Sequence, residues 1–262
     1  MKKLNVFSAF LILLVLSSCG GKEFKKNPVD EVIKEMPSTT KFTVILNDMD
    51  VEGSFFKTFK HQYKIIEEKI VAVPEQTTGD GISEISMQED AGVPVERITD
   101  WYEVDERFFK QHQDNMGMEI AARGDDGKVT KSVAPAGYSQ YVGNQRYGRW
   151  ENRGGTSFWA FYGQYAFMSR MFGMGAYPIQ RGYYNTYRGS YYGTGRAYYG
   201  PTTAAGGRMY GTNSAYNRST RPNSSWSKNN SSFKNRVAGR TSRSSSRYGG
   251  SSSRSRGGGF GK

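Results

Sequence analysis

The sequence predicts an α+β fold: a small strand-rich domain at residues 41–136, an aromatic segment at residues 137–178 and a long disordered basic tail at residues 179–262. Three observations predict it. Aromatic and β-branched runs bounded by turn residues fill the first region, around one stretch with a helical pattern. Sixteen of the 18 tyrosines lie from Tyr138 onward. From Thr212 the chain is rich in Ser, Asn, Arg and Gly, which cannot bury enough apolar area to offset the entropy lost on ordering.

The first predicted strand is the apolar run at residues 42–46, and the Asn47-Asp48 pair after it is a turn signal. Four further stretches are predicted as strands because they share aromatic and β-branched residues: 55–66, 69–73, 79–88 and 95–104. The alternation of apolar residues is imperfect in the third of these. A domain of roughly 95 residues with these strands can bury a core.

One helix and one hairpin complete the first domain. Residues 104–112 place three apolar side chains on one face of a helix that stops by Gly117. Residues 118–122 and 128–133 flank a five-residue loop that contains two glycines. This arrangement predicts a β-hairpin.

Charge divides the chain into two unlike parts. Residues 20–127 carry 23 acidic and 13 basic side chains, whereas residues 128–262 carry 21 basic side chains and one acidic side chain, Glu151. Such an asymmetry indicates an anionic partner for the basic part, such as a membrane surface, a polyanionic envelope polymer or nucleic acid. The acidic and basic parts are also expected to attract one another.

The N-terminus has the pattern of an export signal. Lys2 and Lys3 precede an apolar run at residues 6–16, which is too short to span a bilayer. The run ends in Leu16-Ser17-Ser18-Cys19, which resembles the lipobox of bacterial lipoproteins. The resemblance implies removal of a signal peptide at residues 1–18, diacylglycerol on the Cys19 sulfur and a further acyl chain such as palmitate on the freed amine. The alternative is an ordinary signal peptide with an incidental cysteine.

The lipobox resemblance also implies a location. The acyl chains would hold the protein in the lipid bilayer of the cell envelope. Residue 20 is Gly, not the Asp that resembles an inner-membrane retention signal, so the outer membrane is favoured. Residues 19–40 are interpreted as a tether, with room for a short helix at residues 29–36. With the glycine-rich C-terminal end, the chain resembles envelope lipoproteins of Bacteroidota, a resemblance that implies no activity.

Residues 157–172 form the most apolar stretch after the signal peptide, interrupted by Gln164 and Arg170. The stretch is shorter than a spanning helix needs, and its aromatic residues favour the interfacial layer of a membrane. Three interpretations remain open: ordinary core, an interfacial helix on the membrane, or a contact with another subunit. The candidate membrane or partner contacts are Phe158, Trp159, Phe161, Tyr162, Tyr165, Phe167, Met168 and Phe172.

Residues with catalytic or metal-binding patterns are scarce. His61 and His112 are the two histidines, and they lie 51 positions apart without a ligand pattern around them. Asp48 and Asp50 lack the glycine and closing glutamate of a calcium loop. The sequence therefore predicts no catalytic residues, no cofactor and no metal, and a protein that is not an enzyme. A hydrolase whose acid and base meet only in the fold is the remaining alternative.

The Arg/Gly/Tyr composition is the feature with a binding mechanism. It resembles RNA-binding disordered segments, in which guanidinium groups meet phosphates and rings stack on bases. Because the export signal places the chain outside the cytoplasm, we expect a membrane-anchored envelope protein with a structural or interaction role. Its basic tail would bind an anionic envelope component or a partner protein. The alternatives are nucleic-acid binding at the cell surface and a solvated spacer without a ligand.

Overall fold

The computed structural model describes residues 27–53, 56–69, 92–175, 177–229 and 234–235. The helices and strands, in chain order, are α1 (Pro28–Glu35), β1 (Phe42–Glu52), β2 (Thr58–Lys69), β3 (Val93–Ile98), β4 (Tyr102–Val104), α2 (Glu106–His112), β5 (Met118–Arg123), β6 (Val129–Thr130), β7 (Ala134–Pro135), β8 (Gly148–Arg153), β9 (Thr156–Phe161), a 3-10 turn (Gly163–Tyr165), α3 (Phe167–Met171), α4 (Arg181–Ser190), α5 (Ala215–Thr220) and α6 (Ser225–Lys228). The α+β class is confirmed.

Seven strands form one antiparallel sheet in the order β3-β2-β1-β5-β6, with β4 beside β2 and β7 beside β5. A separate hairpin joins β8 to β9. The hairpin predicted around residues 123–127 is confirmed, since Ala122 pairs with Thr130 and Arg123 with Val129. The helix predicted at residues 104–112 is confirmed from Glu106 onward.

Side chains on both faces of β1 are buried. Val44 and Leu46 point into a first core under α1 and α2, and Ile45 points to the opposite face, into a second core. Neighbouring residues of a strand face opposite sides of a sheet. Because both faces of this strand are covered, its residues 42–46 form an uninterrupted apolar run and do not alternate with polar residues.

The turn predicted at Asn47-Asp48 is wrong, because β1 continues through it to Glu52. The register with β2 shifts between Leu46 and Asp48, which makes Asn47 the extra residue of a β-bulge. The Asn47 side-chain amide donates to Gln62 Oε1 at 2.9 Å. This cross-strand bond gives the amide a partner without a turn.

The tether predicted at residues 19–40 is wrong for its second half. Helix α1 begins at Pro28, and the Asn27 side chain caps it by accepting from the Val29 N–H at 2.9 Å. Val29 and Val32 are buried in the first core. Residues 27–36 are therefore part of the folded protein, because one apolar face of this short helix covers the sheet.

The predicted disorder of the basic tail is wrong for residues 179–229, which carry α4, α5 and α6. Five of their ten aromatic side chains are buried: Tyr187, Tyr198, Tyr210, Tyr216 and Trp226. A buried aromatic side chain removes about 150–250 Å² from water. The segment cannot bury these rings against itself, but it can bury them against the sheet. Residues 230–233 and 236–262 of the predicted tail lie outside the described residues, as do the strand predicted at 79–88 and all but Lys69 of the strand predicted at 69–73.

Candidate functional site

The second core joins the two unlike parts of the chain. Its members come from the second face of the sheet and from residues 134–198: Ile45, Ile66, Ala134, Ala136, Tyr138, Tyr141, Val142, Tyr147, Trp159, Tyr165, Met168, Phe172, Met174, Ile179, Tyr187 and Tyr198. Many of the rings meet edge to face or tilted, such as Tyr141 and Tyr147 at 5.0 Å between centroids. In this core, the acidic and basic parts of the chain are thus in contact, and the contact consists of aromatic rings packed on one face of the sheet.

Two buried carboxylates lie beside this core. Glu119 is fully buried and accepts from the Gly137 N–H at 3.0 Å, from the Ser139 N–H at 3.1 Å and from the Ser139 hydroxyl. Burial raises the pKa of Glu119 to about 8, against the effect of these three hydrogen bonds. Glu68 accepts from Gln140 Nε2 at 3.1 Å and from the Tyr147 hydroxyl. Both carboxylates therefore hold residues 137–147 against the sheet.

His61 and His112, which the sequence leaves unconnected, are neighbours in the first core with ring centroids 6.3 Å apart. Burial lowers both pKa values, to about 3 for His61 and about 4 for His112. His61 Nδ1 lies 3.3 Å from the Tyr63 hydroxyl, and His112 Nδ1 lies 2.9 Å from Asn115 Nδ2. Across the described ranges, no three His, Cys, Asp or Glu side chains come together as a metal site requires.

Asp48 binds the N-terminus of helix α6. Its carboxylate accepts from the Ser225 N–H at 2.6 Å and the Trp226 N–H at 3.2 Å, at the first turn of α6. A carboxylate at a helix N-terminus is stabilised by the exposed N–H groups there. Trp226 packs on Phe109 with centroids 5.9 Å apart. Helix α6 thereby ties the C-terminal part of the described chain to β1.

Three exposed arginines lie on α4 or shortly after it: Arg181, Arg188 and Arg196. We call these three residues the arginine surface. Arg181 and Arg188 are seven residues, or two turns, apart on α4, so they lie on one side of it. Each of the three guanidinium groups lies over an aromatic ring, at 5.9 Å from Trp150, 3.8 Å from Tyr192 and 4.8 Å from Tyr191, respectively. Among the described residues, none of the three has a carboxylate within 4.0 Å.

Three other exposed arginines are paired with acids. Arg149 and Arg153 both bind Glu151, at 3.0 and 3.2 Å, and Arg208 binds Asp114 at 3.1 Å. Their positive charge is therefore partly balanced within the protein. The arginine surface differs from them because its guanidinium groups have no acidic partner within 4.0 Å among the described residues, and stacking on rings orients them.

Residues 157–172 are a strand, a 3-10 turn and the short α3, so no single interfacial helix exists there. Four of the eight candidate contacts are core side chains: Trp159, Tyr165, Met168 and Phe172. Phe158 and Phe161 are half-buried, and Tyr162 and Phe167 are 38% and 41% exposed. The turn that follows β9 therefore offers two exposed rings, and their contact with a membrane or partner stays a prediction.

Residues 1–18, predicted as a signal peptide, and Cys19 lie outside the described residues. Within the described ranges, no helix combines the length and the apolar character needed to cross a bilayer.

A polar pocket of about 320 Å³ lies where the β5–β6 loop, residues 139–144 and α4 meet. Its walls include Asp125, Ser139, Asn144, Tyr184 and Arg188. Only Asp125 belongs to a segment that the sequence analysis singles out, the loop of the predicted hairpin. Glu119 has a sequence signal, because a lone carboxylate within the apolar strand Met118–Arg123 indicates a buried acid with dedicated partners.

No protein-family model, curated protein or solved structure matches this chain. What the chain does has to be inferred from its own residues.

Proposed function

We propose that this chain is a lipid-anchored protein of the cell envelope with a structural or interaction role, which binds an anionic envelope component through its arginine surface. The anchor is proposed from the lipobox at Cys19, and the outer membrane from Gly20. The binding proposal rests on Arg181, Arg188 and Arg196. Their side chains are exposed, stacked on aromatic rings and without acidic partners among the described residues.

The chain segment that carries these arginines is basic. Residues 180–229 contain seven basic side chains and no acidic one. A guanidinium group presents several donors in a plane, which suits phosphate and carboxylate oxygens. Stacking on a ring also reduces the side-chain entropy that binding would otherwise cost.

Phosphate contact fits this surface better than base stacking. Nucleic-acid binding through the tyrosines requires free ring faces. Here the rings of Tyr191 and Tyr192 are half-buried and each already carries a guanidinium group. The proposed ligand chemistry is therefore the phosphate or carboxylate of an envelope lipid or polymer, with nucleic acid as the alternative.

The binding proposal predicts a specific loss on removing the three charges. The variant Arg181→Gln/Arg188→Gln/Arg196→Gln should bind phosphatidylglycerol vesicles about a hundredfold more weakly than the unaltered chain, at ~1 kcal/mol per arginine near an anionic surface. Co-sedimentation of residues 20–262 without lipid measures it. Lipopolysaccharide and duplex DNA are the parallel arms, each at several salt concentrations.

The control changes the same number of charges at arginines that have acidic partners: Arg149→Gln/Arg153→Gln/Arg208→Gln. It should weaken binding much less, because those guanidinium groups are already engaged. Equal losses in the two triple variants would mean that only net charge matters, which contradicts a specific surface. Tighter binding to DNA than to vesicles and lipopolysaccharide would favour the nucleic-acid alternative.

The anchor predicts a separate result for Cys19→Ala. This variant should incorporate no labelled palmitate and should leave the membrane pellet when cells are fractionated. Labelling that persists would refute the lipobox assignment. Loss of label with continued sedimentation would indicate that the exposed Tyr162 and Phe167, or the arginine surface, hold the protein on the membrane.

A further inference from the structure

The polar pocket beside α4 has walls from three separate parts of the chain. Asp125 and Asp126 come from the β5–β6 loop, Ser139 and Asn144 from the segment after β7, and Tyr184 and Arg188 from α4. Its volume of about 320 Å³ is within the range of pockets that hold small ligands.

The charges in the pocket are nearly balanced. Asp125 accepts from Lys41 Nζ at 2.5 Å and from Asn144 Nδ2 at 3.0 Å, and the Lys41 contact is the main reason that its pKa is lowered. Arg188 faces the same pocket from the other side, with its guanidinium over the Tyr192 ring. An anionic ligand would meet Asp125 and Asp126, and a cationic ligand would meet Arg188. The charge pattern therefore favours a neutral ligand.

The polar groups of the walls are held in position. The Ser139 hydroxyl shares hydrogen bonds with the buried Glu119 and, at 2.7 Å, with the Tyr187 hydroxyl. The Asn144 amide is fixed by Asp125 and by the Gln140 carbonyl at 3.3 Å. Preorganised donors and acceptors reduce the entropy lost when a ligand binds.

Gly143 sets the distance between two walls. Its φ is +77°, and a Cβ there would lie 2.5 Å from ring atoms of Tyr184. Only glycine lets the segment after β7 approach α4 this closely. The aromatic ring of Tyr184 therefore stands beside polar groups in one small pocket.

From this combination we propose that the pocket binds a neutral saccharide unit. A sugar ring carries neighbouring hydroxyls that both donate and accept, which matches a wall of carboxylate, amide, guanidinium and hydroxyl groups. The Tyr184 ring adds apolar surface to the lining, which suits the C–H groups of a sugar. The sugar site shares Arg188 with the arginine surface, but sugar binding does not depend on anion binding there.

The experiment measures binding of residues 20–262 to neutral sugars by saturation-transfer NMR and calorimetry. The probes are glucose, galactose, mannose, N-acetylglucosamine and the β-1,4-linked trimer of N-acetylglucosamine, with glucuronic acid and glucose 6-phosphate as charged comparisons. At least one neutral probe should bind. Asn144→Ala and Arg188→Ala should each weaken that binding about tenfold, because the first removes the amide that positions the Asp125 carboxylate and the second removes a donor from the wall.

Arg208→Ala is the matched control, because its guanidinium is also exposed and stacked, 4.0 Å from the Tyr199 ring, but lies outside the pocket walls. It should leave sugar binding unchanged. Arg188 is exposed, so its variant reports on the pocket even if Asn144→Ala fails to fold. The proposal is overturned if no neutral probe binds, if charged probes bind more tightly, or if Arg188→Ala and Arg208→Ala behave alike. Asn144→Ala should leave vesicle binding intact, which distinguishes failure of this site from failure of the arginine surface.

Discussion

At the scale of single residues, the fold brings together polar side chains that are far apart in the chain. His61 and His112 become neighbours, and Glu119 meets Ser139 at the foot of a pocket. The sequence could identify these as polar residues in or near apolar stretches, but it could not pair them. Pairing depends on strand register and on which helix covers which face, and both are decided by contacts between distant segments.

The buried histidines predict acid sensitivity. Their folded-state pKa values are about 3 for His61 and about 4 for His112, below the 6.5 of an exposed histidine. The unfolded chain therefore binds protons first, so their contribution to stability is complete above pH 6.5 and is lost as the pH falls toward these values. Each buried histidine should therefore lower the free energy of unfolding by about 2 kcal/mol when the pH falls from 7.5 to 5.

The variant His61→Phe tests this at a site already lined by Phe108 and Phe109. Urea unfolding at pH 7.5 and 5 should show that the variant loses about 2 kcal/mol less stability than the unaltered chain over this interval. Glu119 acts in the opposite direction, because its raised pKa stabilises the fold below pH 4.5 and that contribution is lost as the pH rises toward about 8. Because Glu119 is present in both the variant and the unaltered chain, its contribution cancels when their stabilities are compared. Equal losses would show that His61 is not held neutral by burial.

At the scale of elements, local sequence patterns predicted most strands and the helix between residues 42 and 133. They did not predict where these elements end or what the residues at their ends contact. The sequence signal at Asn47-Asp48 is typical of a turn, yet Asn47 forms a bulge and Asp48 caps α6 from 177 positions away. Residues 157–172 have the composition of an apolar helix, yet they divide into β9 and α3. Backbone pairing of β9 with β8 outweighs local helix preference here, since hairpin pairing places Trp159 in the core.

At the scale of the whole molecule, the aromatic part is a layer of the fold. Residues 137–198 cover the second face of the sheet, where Ile45 and Ile66 would otherwise meet water. They also supply both backbone donors and the hydroxyl that satisfy the buried Glu119. An independent domain at residues 41–136, as the sequence suggests, would expose an apolar sheet face and leave a carboxylate without partners.

This architecture predicts that residues 27–136 do not fold alone. The isolated fragment should show poor chemical-shift dispersion by NMR and no cooperative unfolding in urea, because an exposed apolar face and an unsatisfied acid both oppose the native state. Adding residues 137–235 should restore both signals. A well-dispersed spectrum with a sigmoidal unfolding curve for residues 27–136 alone would contradict the layered fold.

The sequence by itself determined the α+β class, most strands of the sheet, the helix before Gly117, the β5–β6 hairpin and the division into acidic and basic parts. These follow from local periodicity, turn chemistry and composition, which need no knowledge of distant contacts. Only the tertiary structure decided that residues 179–229 fold, that arginines stack around α4 and that a polar pocket forms beside them. A tyrosine-rich segment without an apolar core of its own becomes ordered only where a sheet face receives its rings, and the Ile45 and Ile66 side chains of that face come from strands much earlier in the chain.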